Sequence, residues 1–412
     1  MTDETAFAWR TELADSLSDS DRTTMREYRL ARVQAELERS GCGAAVLLDP
    51  CNIRYATDAR NMSVWTLHNR VRCAFVPAVG KPVLFEFGAG SWPVPAESMP
   101  LLGEVRPISG WTHFYAGSDK ENRLRSWVGD IATLVRQHCG NETRVAFDHL
   151  DTQAGNFLAV AGVTVADGEA LMERARLIKS PEEVACLRHS IDVAELALDR
   201  IRRFLRPGIT ENELWSILHQ TNIAHDGEWV ETRLLSSGTR TNPWMQECGP
   251  KVIEAGEVVA LDTDMIGPNA YCADISRTFL CGTSTPTDEQ KRLYQASHEQ
   301  LVHNTALLQP GRTLREVVAS EWAIPEEFLA YRYGFAHGVG LKDEYPFLPN
   351  ATDIDKLGDP DMVLEPGMVL SVESYIGAVG GTFGIKLEDQ VLVTDSGPET
   401  LSLFPFEEAL LT

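Results

Sequence analysis

The sequence predicts an α/β protein with two domains, the second of which contains an internal repeat. The chain has 412 residues. A single hydrophobic core rarely supports a chain of that length, so two domains are expected. Helical segments alternate with short apolar runs in the first half. Pairs of similar motifs recur in the second half. We place the boundary near residue 175, which gives domains 1–175 and 176–412.

The first half alternates predicted helices and strands. Residues 25–39, MREYRLARVQAELER, have the apolar spacing of a helix. Six short apolar runs bounded by turn residues predict strands, namely AAVLLD, NIRYAT, CAFVPAV, KPVLFEF, RVAFD at 144–148 and VTVAD at 163–167. A long helix follows, because Ser180 and Pro181 are typical of a helix start and Glu183 stands at capping-box spacing.

Two motif pairs indicate that the second half is built from related halves. LRPGITENE at 205–213 and LQPGRTLRE at 308–316 share L-x-P-G-x-T-x-x-E, with each threonine expected to be a helix N-cap. EAGEVVALD at 254–262 and EPGMVLSVE at 365–373 both read as strands that end in a carboxylate. We therefore expect a pseudo-twofold axis that makes Asp262 and Glu373 equivalent.

Composition excludes several classes of partner. The chain has 60 acidic and 37 basic residues. The resulting net charge of −23 argues against nucleic acid or an anionic membrane as a binding partner. The eight cysteines lack C-x-x-C spacing, and the acidic N-terminus has no apolar core, so we expect a reducing, cytoplasmic location without export. No apolar run approaches the ~20 residues that span a bilayer.

Aspartates crowd a strand-like stretch, LDTDMIGPNAYCADISRT, at residues 261–278. Because side chains alternate along a strand, Asp262 and Asp264 share a face. A turn centred near residue 269 sets Asp264 opposite Asp274. Buried carboxylates that repel one another require a positive partner, so the stretch predicts a cation site.

The other half supplies matching ligands. Glu373 ends one repeated strand, Glu388 lies in GIKLEDQVLVT, and His337 lies in FAHGVGLKDEYP. Together with the three aspartates they form an oxygen-rich set with one imidazole, which suits two divalent ions of Mn, Fe, Co or Zn sharing bridging carboxylates.

These motifs resemble those of the pita-bread metalloenzymes, which include aminopeptidase P, prolidase, methionine aminopeptidase and creatinase. The resemblance is carried by YCADISRT, AHGVGL, EPGMVLSVE and KLEDQVLVT, and by RLIKSPEEV at the opening of the second domain. It implies a creatinase-like N-terminal α/β domain followed by a pita-bread, metal-dependent catalytic domain.

Two departures argue against a peptidase. Peptidases of this group usually carry a histidine before the first metal aspartate and another shortly after the metal histidine. Here 236–250 contains no histidine, and Asp343 stands in the second place. An Xaa-Pro dipeptidase or aminopeptidase stays the main alternative, which a further histidine such as His225 near the metals would favour. A creatinase-type hydrolase and a non-enzymatic scaffold are weaker alternatives.

The strings MREYR, DPCNIRYATD and GEWVETRLLSSGTRTNPWMQECGP resemble one branch of the family, the dimethylsulfoniopropionate (DMSP) lyases of pita-bread fold. The resemblance implies a homodimeric lyase that binds iron, with Zn, Mn or Co as alternatives, and splits DMSP into dimethyl sulfide and acrylate. It implies that Asp343 is the base and that Tyr333 lies at the substrate. Lys342 departs from the small neutral residue expected there and should lower the pKa of the base. The implied metal ligands are Asp262, Asp264, Asp274, His337, Glu373 and Glu388.

The chemistry of DMSP predicts an aromatic wall beside the metals. β-Elimination removes a proton next to a carboxylate, which a metal acting as a Lewis acid and a nearby carboxylate base promote. The sulfonium head of this zwitterion is cationic and suits aromatic faces. The candidate aromatic residues are Trp65, Trp229, Trp244, Tyr333 and Tyr345.

Overall fold

A computed structural model describes residues 17–87, 99–108 and 110–412. The chain divides into two compact units, Ser18–Arg176 and Leu177–Thr412. Most of the acidic N-terminal run, for which we expected no export signal, lies outside the described residues. All eight cysteines lie in these ranges, and none of them forms a disulfide. Within the described ranges, no helix has the length and apolar character needed to cross a membrane.

The first unit is a mixed six-stranded sheet with seven helices among its described residues. The sheet order is β4-β3-β2-β1-β5-β6, and buried residues such as Phe75, Phe85, Trp127 and Ile131 form its core. The strands are β1 (Ala44–Leu47), β2 (Cys73–Pro77), β3 (Val83–Glu86), β4 (Glu104–Pro107), β5 (Arg144–Phe147) and β6 (Thr164–Asp167). The helices are α1 (Asp19–Ser40), α2 (Pro50–Thr57), α3 (Ser63–His68), α4 (His113–Ala116), α5 (Lys120–His138), α6 (Thr152–Val160) and α7 (Glu169–Arg176).

One predicted strand of this unit is wrong. The run NIRYAT lies in helix α2, whereas the other five predicted strands and the first helix are confirmed. Asp49 precedes α2 as its N-cap, and its side chain accepts a hydrogen bond from the amide of Cys51. Pro50 occupies the first helical position, where its missing N–H costs nothing. Capping therefore decided a segment whose apolar content alone was ambiguous.

The second unit contains three described sheets. Their orders are β11-β10-β7, β12-β9-β8 and β14-β13-β15-β16-β17. The strands are β7 (Trp229–Val230), β8 (Leu235–Ser237), β9 (Val258–Asp262), β10 (Met265–Ile266), β11 (Cys272–Ala273), β12 (Ser276–Leu280), β13 (Ala336–Val339), β14 (Asp343–Leu348), β15 (Val369–Ile376), β16 (Ile385–Thr394) and β17 (Gly397–Thr400). The helices are α8 (Pro181–Phe204), α9 (Glu211–Ala224), α10 (Asp288–Ala306), α11 (Leu314–Ala319) and α12 (Glu408–Leu411).

The capping predictions and the internal repeat of this unit are confirmed. Helix α8 begins with a capping box between Ser180 and Glu183. Thr210 and Thr313 are the N-caps of α9 and α11, and each closes a capping box. The amide of Gly208 donates to the carbonyl of Ile253, and the repeat-related amide of Gly311 donates to Leu364. Matching turns therefore lead into β9 and β15, the strands that end in or contain Asp262 and Glu373.

Candidate metal centre

The three aspartates belong to one interrupted hairpin. Met265 pairs with Ala273, and Asp262 pairs with Ser276. Both pairs have the register of a turn centred on residue 269, so that prediction is confirmed. Asp264 and Asp274 lie between the two paired segments and are not part of the strand pairing on either side. The hairpin therefore brings all three carboxylates close together.

Asp264 has an unusual backbone. Its φ is 36°, in the left-handed region that residues other than glycine rarely adopt. The hydroxyl of Thr232 donates to its carboxylate. Such conformations concentrate at functional sites, where the surrounding structure enforces them. Here the conformation turns the second carboxylate of the doublet toward the cluster.

The second set of candidate ligands lies on the five-stranded sheet. Glu373 on β15 stands directly opposite Glu388 on β16. The imidazole Nε2 of His337 on β13 is 3.5 Å from Glu373 Oε1, 3.9 Å from Glu388 Oε1 and 3.3 Å from Asp274 Oδ2. Acidic side chains directly opposite in a sheet repel each other, so this arrangement needs positive charge between the strands.

Ligand atoms group into two sets that share one residue. One oxygen each from Asp262, Asp264 and Asp274 lie within 4.8 Å of one another. Atoms of Asp274, His337 and Glu388 form a second such set. Two neighbouring sets with a common carboxylate have the composition of a dinuclear site with a bridging ligand.

Several oxygens of the cluster are buried without a hydrogen-bond donor. Among the described residues, Asp262 Oδ1, Asp274 Oδ1 and Glu388 Oε1 accept no hydrogen bond. Buried polar atoms are rarely left in this state. Carboxylate oxygens and one imidazole suit borderline-hard divalent ions. The residues therefore fit two metal ions, which would use the orphaned oxygens.

Protonation of the cluster reflects the same crowding of carboxylates. Burial, followed by the charge of Glu388, raises the pKa of Asp262 to about 6. The pKa values of Asp264 and Asp274 are well above their usual range, first through burial and then through neighbouring carboxylates. Burial alone lowers the pKa of His337, but its bond to Glu373 and the nearby carboxylates outweigh this effect and raise it to about 10.

Sequence reasoning missed Lys386, a buried ammonium inside the cluster. Its Nζ donates to Glu373, to Glu388 at 2.8 Å and to Ser276 Oγ at 2.7 Å, and lies 3.4 Å from Asp262. The signal was available, since Lys386 and Glu388 are two residues apart on one strand and so share a face. Lys386 supplies internal counter-charge to both halves of the repeat.

Asp343 lies at the edge of the cluster. Its side chain is 63% exposed, and its Oδ1 is 3.9 Å from Nδ1 of His337. Partial burial of its carboxyl, followed by the charges of Asp262 and Glu344, raises the pKa of Asp343, while His337 and Lys342 act against this. The expected lowering by Lys342 exists but does not reverse the shift. A carboxylate that reaches solvent beside the cluster is free to act on a ligand.

Two of the predicted aromatic residues flank the cluster. The rings of Tyr333 and Trp244 have their centroids 5.7 Å and 5.8 Å from Lys386 Nζ. Burial, followed by the charge of Glu373, raises the pKa of the Tyr333 hydroxyl, which stays protonated. These two rings form an apolar surface beside the charged groups of the cluster.

The other predicted aromatic residues are placed differently. Trp229 lies on β7 opposite Ile266. The Tyr345 hydroxyl donates to Asp359, which turns the tip of the ring toward the loop that precedes β15. Trp65 belongs to the first unit, where it packs with Phe87 and Tyr115 at centroid distances of 5.6 and 6.3 Å. For these three, a role in substrate binding stays a prediction.

His225, the histidine that would favour a peptidase, lies elsewhere. It follows α9 as its C-cap residue, and its Nδ1 lies 2.8 Å from the carbonyl oxygen of Thr221 on the same helix. The groups of potential metal ligands in the described residues do not include it.

Known families match both units. A family model described as metallopeptidase family M24 matches residues 185–395, and one described as the creatinase/prolidase N-terminal domain matches residues 29–178. The dimethylsulfoniopropionate lyase DddP of Roseovarius nubinhibens is 38% identical over 397 residues, which cover 95% of this chain and 88% of that protein. The protein of the same name from Roseobacter denitrificans is 37% identical, over 98% of this chain and 91% of its own length.

Solved structures agree on the fold. An Xaa-Pro dipeptidase from Bacillus anthracis superposes with a TM-score of 0.73, covering 93% of this chain and 99% of that one. Its sequence identity is 22%, so the likeness establishes the creatinase-like and pita-bread architecture and leaves the reaction to be argued from the site.

Proposed function

The chain belongs to metallopeptidase family M24, with a creatinase/prolidase N-terminal domain, and from this premise we propose that it is a carbon–sulfur lyase that cleaves DMSP into dimethyl sulfide and acrylate. Two DMSP lyases that match nearly the whole chain support this proposal. The observation that carries it is Asp343, a solvent-reaching carboxylate 3.9 Å from His337 that stands where a peptidase would carry a histidine.

The proposed metal ligands are the six residues named from the sequence, Asp262, Asp264, Asp274, His337, Glu373 and Glu388. We propose iron as the metal, with Zn, Mn and Co as alternatives. When bound, the metal supplies Lewis-acid chemistry at the substrate carboxylate. Lys386 and Ser276 hold Glu388 through one oxygen, Oε2, and so leave its Oε1 directed into the cluster.

Asp343 acts as the base in this proposal. Its carboxylate takes the proton from the carbon next to the substrate carboxylate, and the C–H electron pair becomes the new C=C bond. The C–S bond breaks, and its electrons leave with sulfur as neutral dimethyl sulfide. Acrylate remains, and Asp343 then releases its proton to solvent.

Tyr333 and Trp244 hold the substrate in this proposal. Their rings already lie within 6 Å of a cation, Lys386 Nζ, and aromatic faces favour a sulfonium group in the same way. The protonated Tyr333 hydroxyl is a hydrogen-bond donor for the substrate carboxylate. Neither contact needs a histidine.

We also propose a homodimer in a reducing cytoplasm, acting on a small zwitterion without nucleic acid or membrane partners. The eight cysteines, none of which is in a disulfide, and the net charge of −23 support this setting. The proposed dimer follows the resemblance to DMSP lyases, and gel filtration with light scattering tests it.

Headspace gas chromatography tests the reaction. Iron-loaded protein with DMSP should release dimethyl sulfide, and Asp343→Ala should release at least about 100-fold less, as expected for loss of a general base. Asp395→Ala, at an exposed turn between β16 and β17, is the matched control and should keep full activity. Release of proline from Xaa-Pro dipeptides without dimethyl sulfide would refute the lyase and favour the dipeptidase alternative.

A further inference from the structure

A buried ion pair involves the hairpin of β13 and β14, which carries Asp343. Lys179 Nζ is 3.0 Å from Glu344 Oε2, and the two side chains are 2% and 1% exposed. Burying an ion pair carries a desolvation cost that its attraction often fails to repay. The pair is therefore not expected to add much to the stability of the fold, and its position beside Asp343 points to another role.

The Glu344 carboxylate fills the inside of the hairpin tip. Its Oε1 accepts from the amide of Leu341 at 3.1 Å. A Cβ atom at Gly340 would lie 2.5 Å from Glu344 Oε2, so only glycine admits the carboxylate there. The amide of Gly340 donates to the carbonyl of Lys342 at 3.0 Å and completes the tip.

Strand alternation links Glu344 to Asp343. The two residues begin β14 and pair with Gly338 and Val339 of β13, next to an irregularity after His337. Neighbouring side chains in a strand point to opposite faces. Holding Glu344 inward therefore holds Asp343 outward, on the side of His337. A slip of one residue would exchange the two faces.

Lys179 is itself fixed by several contacts. Its amide donates at 2.8 Å to the carbonyl of Gly367, in the turn that leads into β15. Ser180, the next residue, opens the capping box of α8 with Glu183. The Glu183 carboxylate also accepts from the Tyr271 hydroxyl at 2.7 Å. The start of α8 thus touches the segments that lead to Glu373, Asp274 and Asp343.

We propose that Lys179 and Glu344 are positioning residues that hold the hairpin tip so that Asp343 faces the substrate. This inference rests on the proposed role of Asp343 as base. Lys179 pairs with Glu344, and Glu344 accepts from the amide of Leu341, so these contacts act on the backbone of the hairpin. Their effect is to fix the direction of one side chain.

Steady-state kinetics on DMSP test the proposal with Lys179→Met, the double variant Lys179→Met/Glu344→Gln and Lys179→Arg. A displaced base lowers kcat roughly 10–100-fold in the first two variants, while KM stays within about threefold because substrate-binding groups are unchanged. Lys179→Arg keeps the charge and should recover most of kcat. In Lys179→Met the buried Glu344 carboxylate loses its partner, which can destabilise the protein. The double variant replaces that carboxylate and so avoids this effect.

Arg202→Met is the matched control. Arg202 pairs with Glu407 at 2.8 Å near the other end of α8, roughly 30 Å along the helix at 1.5 Å per residue. It should keep kcat within about twofold of wild type. Hydrogen–deuterium exchange of a peptide covering 336–348 gives a readout without substrate, and it should rise in the double variant and stay unchanged in Arg202→Met.

The outcomes separate this inference from the proposed function. If the double variant matches Arg202→Met in kcat and in exchange, the positioning role is overturned. A fall in kcat that Lys179→Arg does not recover, with unchanged exchange, also overturns it. If wild type releases no dimethyl sulfide, the proposed function fails, and the exchange of 336–348 alone then decides whether the pair holds the hairpin.

Discussion

Replacing Lys386 by methionine should destabilise the metal-free protein substantially. Lys386 is fully buried and bonds to Glu373, Glu388 and Ser276. Burial alone lowers the pKa of its ammonium, but Asp262, Glu373 and Glu388 outweigh this and raise it well above the usual range. Methionine fills a similar volume without charge, so the substitution isolates the electrostatic contribution.

The magnitude follows from the cost of leaving buried carboxylates without their cation. Breaking a buried ion pair costs about 3–5 kcal/mol. We expect about 3 kcal/mol, the low end of that range, because one of the carboxylates can take up a proton and so relieve part of the repulsion. For a unit of this size the expected fall in Tm is about 6–12 °C.

Scanning calorimetry of chelator-treated protein measures the effect. Lys251→Met is the control, because Lys251 forms a more exposed pair with Glu257 and should change the free energy of unfolding by at most about 1 kcal/mol. Ionised carboxylates need the ammonium, so the loss in Lys386→Met should grow as pH rises above about 6 and shrink below it. A Tm shift no larger than that of Lys251→Met, or one independent of pH, would refute the reasoning.

The metal content of two variants should differ, because Asp274 belongs to both ligand sets and Asp264 to one. Mass spectrometry should find less bound metal in Asp274→Ala than in Asp264→Ala. Equal losses would contradict a shared ligand. Asp58→Asn should destabilise the first unit at pH 7 by between about 1 and 5 kcal/mol. Burial raises the pKa of Asp58, but three arginines outweigh it and lower the value. The difference from wild type in urea unfolding should therefore be full above about pH 4 and shrink progressively as pH falls further; a difference that stays constant down to about pH 2 would contradict this. Trp244→Ala should raise KM for the sulfonium substrate roughly 5–30-fold, the equivalent of a cation–π contact of about 1–2 kcal/mol, and an unchanged KM would remove Trp244 from the substrate site.

Local sequence signals accounted for much of the fold. Capping residues such as Ser180, Thr210 and Thr313 act within one turn of chain, so their role could be read without tertiary structure. The same logic would have corrected NIRYAT, because Asp49 and Pro50 form a helix start that outweighs a short apolar run. Where a signal is local, the sequence suffices.

The sequence by itself determined the register of the hairpin that carries the aspartates, and it predicted the candidate ligands of the centre. The turn at 269 placed Asp264 opposite Asp274, and the repeat made Glu373 the counterpart of Asp262. Strand alternation does not apply to Asp264, because β9 ends at Asp262 and Asp264 has a φ of 36°. Only the tertiary structure decided which groups share a space across long stretches of chain. It placed the ammonium of Lys386 among carboxylates of both halves, with Trp244 and Tyr333 beside it, and it placed Lys179 against Glu344, the neighbour of Asp343. The contacts of Lys386 with Ser276 and of Lys179 with Glu344 join segments more than 100 residues apart, which no local pattern encodes.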